Sequence, residues 1–189
     1  MLQVTFVRRR GRRDHVYVER DDGTTADWAF PSYGDGLPHD LCHLVVEDEL
    51  ALSDGFWGLV DQGVEVGLVD NEATLLKDGT PYAQQPDADL TGLLQAEAAV
   101  ATLGSPALAV ELGASGPASV AHIDDVPVDD DRRASDREAV LTRFGVALPA
   151  TATPQSERAI RTRLAELAVR WRAIEDRGSI VLPFPSPSP

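Results

Sequence analysis

The chain has 189 residues, with 17 lysines and arginines against 31 aspartates and glutamates, a net charge of −14. Hydrophobic residues at 43% and charged residues at 25% are the balance of a globular protein long enough to bury one core. The charge excludes a phosphate-tracking nucleic-acid surface, no apolar run nears the roughly 18–20 residues that span a bilayer, and the single cysteine, Cys42, excludes an internal disulfide.

Leu2, Val4 and Phe6 alternate with Gln3 and Thr5, the period of a half-buried strand. The strip from His15 to Glu19 repeats the pattern, and Thr25 to Phe30 follows the Asp21-Asp22-Gly23 turn as a third strand. These strands make an N-terminal β-meander. Arg8, Arg9, Arg10, Arg12 and Arg13 crowd its first turn; residues 1–20 hold +4 and the remaining chain −18. The arginine run reads as a solvated turn, with a small anion-docking patch as the sharper alternative. The N-terminus, apolar and then basic, reverses the order of a signal peptide, so the cytoplasm is the expected location.

Pro31 to Gly36 is a loop. Helical spacing begins at Pro38, proline being favoured at the first helical position, and runs to about Leu52. Phe56 to Asp61 is a short second helix, and Phe56 and Trp57 read as core. Residues 63–88 show little pattern beyond turns at Asp78-Gly79 and Pro86. A helix is expected over Asp89–Leu103, ended by Gly104, then a loop over 104–131 with a short strand near Val120, then a helix over Ser135–Phe144. The last helix has the clearest signature. Thr153 caps it, Pro154 fills the first turn, Glu157 completes a capping box, and Ile160, Leu164, Leu167, Trp171 and Ile174 form its apolar stripe up to a stop at Gly178. Ser179 to Phe184 is a strand returning to the N-terminal sheet, and Pro185–Pro189 a disordered tail. The expected fold is α+β, a single domain over residues 1–184, in which a small antiparallel sheet of meander plus C-terminal strand is covered by four or five helices.

Chemistry concentrates in one place. With His39 at zero on a helical wheel, His43 falls near ~40°, Glu47 near ~80° and Asp40 near ~100°. Leu41, Cys42, Val45, Val46 and Leu52 take the opposite arc, which accounts for packing and makes Cys42 a core thiol rather than a nucleophile. Histidines at i and i+4 let two imidazoles reach one ion. Glu47 either reaches that ion or contacts His43 from behind. His122, with Asp124, is the other source of a third ligand. Asp48 and Glu49 point away from the cluster.

His39-Asp40-Leu41-Cys42-His43 resembles the H-E-x-x-H motif of zinc metalloproteases with Asp in place of Glu. That resemblance implies His39 and His43 as ligands and Asp40 as the base that takes a proton from metal-bound water. It is also similar to the His-Asp-x-x-His motif of the zinc protein of ubiquinone biosynthesis, in which a glutamate follows after eleven intervening residues; Gly55 stands at that place here. The wider stretch, Pro38-His39-Asp40-Leu41 with His43, Val46 and Glu47, looks like a pattern of uncharacterised small bacterial proteins.

The expectation is a metal-dependent hydrolase. His39, His43, Glu47 and His122 are the candidate ligands, Asp40 and Glu47 the candidate catalytic carboxylates, and the substrate a small molecule or peptide. Nitrogen and oxygen donors admit Zn²⁺, Fe²⁺ or Mn²⁺. A non-enzymatic acidic interaction protein with incidental histidines is the rival, and a lyase or oxygenase acting on an aromatic or quinone-like molecule a further alternative. Neither nucleic acid nor membrane is an expected partner.

Overall fold

A computed structural model describes residues 1–30, 34–69, 72–103 and 130–185. The fold is α+β. Strands β1 (Leu2–Val7), β2 (Asp14–Arg20), β3 (Thr25–Phe30) and β7 (Ser179–Phe184) form one antiparallel sheet in the order β3-β2-β1-β7. Val4 pairs with Val18 on one side and Leu182 on the other, and Phe6 with Val16 and Ile180. All six are buried with Leu2, Trp28, Phe30 and Phe184. A slip of one residue would turn that set to solvent, so the alternation itself pins the register.

Helices α1 (His39–Leu50), α2 (Phe56–Asp61), α3 (Thr91–Leu103) and α5 (Pro154–Ala173) share one buried core with this inner face, and α4 (Asp130–Phe144) packs on α3. Pro38 is the N-cap of α1 rather than its first residue, and Ala51 closes it in the left-handed region at φ 52°. Helix α4 starts at Asp130, ahead of the expected Ser135. The expected strand near Val120, and His122 and Asp124, lie outside the described residues, as do residues 186–189. Among the described residues no helix is long and apolar enough to cross a membrane.

A second antiparallel sheet was not expected. Strands β4 (Glu65–Val69), β5 (Glu72–Lys77) and β6 (Thr80–Pro81) pair in that order. Asp78 and Gly79, both at positive φ (53° and 74°), join β5 to β6 as the two-residue turn their sequence favours. The strands are short and half-exposed, with Leu68 open to solvent, so the alternation that marks a buried face is absent.

Helix α5 buries Ile160, Leu164, Leu167 and Trp171 as its stripe. Its capping box differs by one position. With Pro154 at N1, the third helical residue is Ser156, whose backbone N–H donates to Thr153 Oγ1 (3.2 Å) while its hydroxyl accepts from Thr153 N–H (2.8 Å). Glu157, one step too late, pairs with Arg137 (2.7 Å) and Arg161 (3.1 Å). Thr153→Ala should therefore lower the unfolding free energy by about 1 kcal/mol in a urea titration. Glu157→Ala should fall short of that, since both arginines of its ion pairs are more than a third exposed.

Arg8 departs from the solvated-turn expectation. Its side chain is buried and donates to the carbonyls of Trp171 (2.7 Å), Arg172 (3.2 Å) and Gly34 (2.9 Å), with Asp35 as counter-ion. A cation at the carbonyl end of α5 satisfies groups that the helix leaves without partners.

Candidate metal centre

Helix α1 is enclosed from Leu41 to Glu47, with α2, α3 and α5 packed around it. From His43 to Glu47 its polar arc is thus covered rather than solvated, with α2 and α3 doing the covering, while His39 stays partly exposed. Small residues let α3 come close. A Cβ on Gly92 would stand 2.3 Å from the Asp54 carboxyl carbon, and Ala96 and Ala99 are fully buried.

The close approach brings in Glu97. His43 Nε2 lies 3.5 Å and His39 Nε2 3.9 Å from the same oxygen, Glu97 Oε2. One ligand atom from each of the three residues falls within 4.8 Å of the others, so the group can hold a metal ion. Donors of a tetrahedral site with bonds of about 2.0–2.2 Å sit roughly 3.3–3.6 Å apart. His43 and Glu97 already have that spacing, and His39 needs only a small side-chain movement. The two imidazoles stand one turn apart with ring centroids 4.6 Å from each other.

Behind His43 stands Glu47, fully buried. Its Oε1 accepts from His43 Nδ1 (3.3 Å) and Phe56 N–H (3.0 Å), and its Oε2 from Trp57 N–H (2.8 Å). Glu47 therefore caps α2 and fixes the His43 ring with the proton on Nδ1, turning Nε2 toward His39 and Glu97. Its carboxylate is on the opposite side of the ring from the convergence point. Gly55 makes room for it, since a Cβ there would come within 2.6 Å of the Glu47 carboxyl.

Asp40 is held as firmly. Its Oδ2 accepts from Trp28 Nε1 (2.9 Å) and its backbone carbonyl from Trp57 Nε1 (2.8 Å). Its other oxygen is 4.0 Å from His39 Nδ1. Trp57, Trp28, Phe6 and Phe56 pack as one aromatic group, with Trp57 buried as expected. Two indole N–H groups thus anchor the first turn of α1, where His39 sits. Cys42 is buried in the core, also as expected.

The electrostatics separate the two histidines. Burial and the neighbouring His43 charge push the His39 pKa down, so it is a neutral imidazole at pH 7. Burial also works against a charge on His43, but Glu47 and Glu97 outweigh it and lift its pKa to about 10. Burial raises the Glu47 pKa, while His43 and the α2 backbone N–H groups favour its carboxylate. With three donors aimed at its two oxygens, the ionised form is the one the geometry fits. Burial raises the Glu97 pKa too, and His43 more than reverses it, leaving it lowered.

The chain matches no protein-family model, no curated protein and no solved structure. The chemistry of the cluster is therefore read from its own geometry. One signal for Glu97 was present in the sequence: it is the single charged residue between Thr91 and Leu103. A lone carboxylate in a helix of alanines and leucines that packs on a histidine pair is a ligand candidate.

Proposed function

We propose that this chain is a metal-dependent enzyme. His39, His43 and Glu97 hold one divalent ion, zinc first, and the ion presents water for attack on a carbonyl or amide of a small-molecule or peptide substrate. The observation that carries the reading is His43 Nε2. It is buried without a hydrogen bond, at the point where a second imidazole and a carboxylate converge. On a neutral ring its lone pair faces only Glu97 Oε2, 3.5 Å away, and an ion between the two would satisfy both.

Two imidazoles and one carboxylate are a ligand set of hydrolytic zinc sites, which keep one position for water. The side chains of His39 and Glu97 are 37% and 45% exposed, which leaves that position open to solvent. The same donors accept Fe²⁺ or Mn²⁺. In this scheme Glu47 orients His43. Asp40, held by two tryptophans, steadies the first turn of α1.

One observation favours a second reading, a metal-free ion-pair network in a non-enzymatic protein: a protonated His43 finds carboxylates on both sides, Glu47 at 3.3 Å and Glu97 at 3.5 Å. Metal analysis separates the two. Protein purified without chelator should carry near one equivalent of a divalent metal, and His43→Ala and Glu97→Gln should each weaken zinc binding at least about 100-fold. Protein that stays metal-free, takes up no Zn²⁺, Fe²⁺ or Mn²⁺ on titration, and keeps its melting temperature in chelator would establish the second reading instead.

A further inference from the structure

The turn between β1 and β2 and the turn between α5 and β7 are stitched together. Arg8 N–H donates to Gly178 O (3.0 Å), Arg177 N–H to Arg8 O (2.8 Å) and Arg10 N–H to Asp176 Oδ1 (2.8 Å). Between them lies a cleft of about 490 Å³ lined by Val7, Arg9, Arg10, Arg12, Asp176 and Arg177. Four arginines and one aspartate line it, in a chain whose net charge is −14, with the Arg10 guanidinium donating to the Ile174 carbonyl (3.4 Å).

That carboxylate is largely committed. Asp176 accepts from the Arg10 backbone and is 4.0 Å from Arg177 Nε. Among the described residues Arg9, Arg10 and Arg12 have no carboxylate within ion-pair distance. Arg9 leans on the Tyr17 hydroxyl (3.0 Å), and Asp35 is taken by Arg8. Like charges gathered without counter-ions repel one another, and a solvated turn does not need four of them in one hollow. A rigid backbone frame presents them together, which lowers the ordering cost for a ligand.

From this geometry we infer a binding site for a small phosphate-bearing anion, separate from the histidine cluster and independent of it. Guanidinium groups bind phosphate oxygens in paired, charge-assisted hydrogen bonds. Val7 adds an apolar wall against which a ligand body can lie. The ligand is compact, because beyond residue 20 the chain carries −18 and repels an extended polyanion.

Calorimetric titration of the full chain with inorganic pyrophosphate tests the site, at low ionic strength and in chelator so that no metal can recruit the anion. Saturable binding of one equivalent is expected, weakened by added chloride and raising the melting temperature. Arg12→Gln with Arg177→Gln, both exposed, should weaken it at least about tenfold, and Arg12→Gln alone by less. No saturable binding above a chloride control, or unchanged affinity in the double variant, would overturn the inference. Tighter binding of a single-stranded oligonucleotide at equal phosphate concentration would do the same.

Discussion

Glu47→Ala should be among the most damaging single substitutions in this protein, lowering the unfolding free energy by about 3–5 kcal/mol in a denaturant titration. Three donors lose their acceptor at once: the backbone N–H groups of Phe56 and Trp57, and Nδ1 of His43. The site is fully buried, so water cannot replace the carboxylate without opening α1 from α2. Against a usual total of about 5–15 kcal/mol, such a loss brings the protein close to unfolding. Glu47→Gln is the more informative change. It keeps the shape but turns an N–H group toward one of the donors, at a cost of about 1–3 kcal/mol. Where that amide faces His43 it donates to Nδ1, moves the ring proton to Nε2, and removes the lone pair that the metal needs. Zinc affinity should then fall about 10–100-fold in a protein that still folds. Unchanged affinity in a folded Glu47→Gln whose His43 ring proton has moved to Nε2 would show that Glu47 only braces α2. Gly55→Ala should reproduce part of the effect, since its Cβ would sit 2.6 Å from the Glu47 carboxyl.

The double role of Glu47 marks the boundary of what the sequence makes readable. Strict alternation in Leu2–Phe6 and Ile180–Phe184 announces the larger sheet because one face is wholly buried there. Where both faces are half-wet, as in Glu65–Val69, the same rule is silent and the second sheet goes unseen. The i, i+4 histidines are visible as a pair because a helix makes them neighbours by local geometry alone. Glu97 joins them through the packing of α3 on α1, a contact between segments distant in the chain that no periodicity encodes. The helical wheel separated an apolar arc from a polar one, but it could not tell that α2 and α3 would cover the polar arc. Burial is what turns Glu47 from a surface carboxylate into the acceptor for two backbone amides. The capping box moved for a smaller reason. A cap's partner stands three residues on, so with Thr153 as the N-cap it is Ser156, and Glu157, four residues on, is out of register.

Metal-free protein should lose stability as pH rises from about 6.5 toward 10, and bound metal should offset part of that loss. His43 has a folded pKa of about 10 against an ordinary 6.5, because Glu47 and Glu97 outweigh the burial that opposes its charge. A group raised on folding takes up a proton between those two values. Its contribution is complete below pH 6.5 and disappears as pH climbs through the folded value. The lowered pKa of Glu97 acts at the other end: its contribution is present above the ordinary 4.5 and lost as pH falls through the folded value. Metal offsets the alkaline trend. His39 is already neutral at pH 7, so binding must expel one proton, that of His43 Nε2, and apparent affinity should climb about tenfold per pH unit below 10. Melting temperatures with and without zinc should therefore diverge steadily between about pH 6.5 and 8.5. Glu97→Gln removes one of the two carboxylates that hold the proton, and with it one of the three side chains that would hold the ion. It should flatten the metal-free pH profile and abolish the divergence together. A variant that loses one effect and keeps the other would separate the proton site from the metal site, and a zinc-induced shift that is the same at both ends of the pH range would show that His43 is not the residue the ion displaces a proton from.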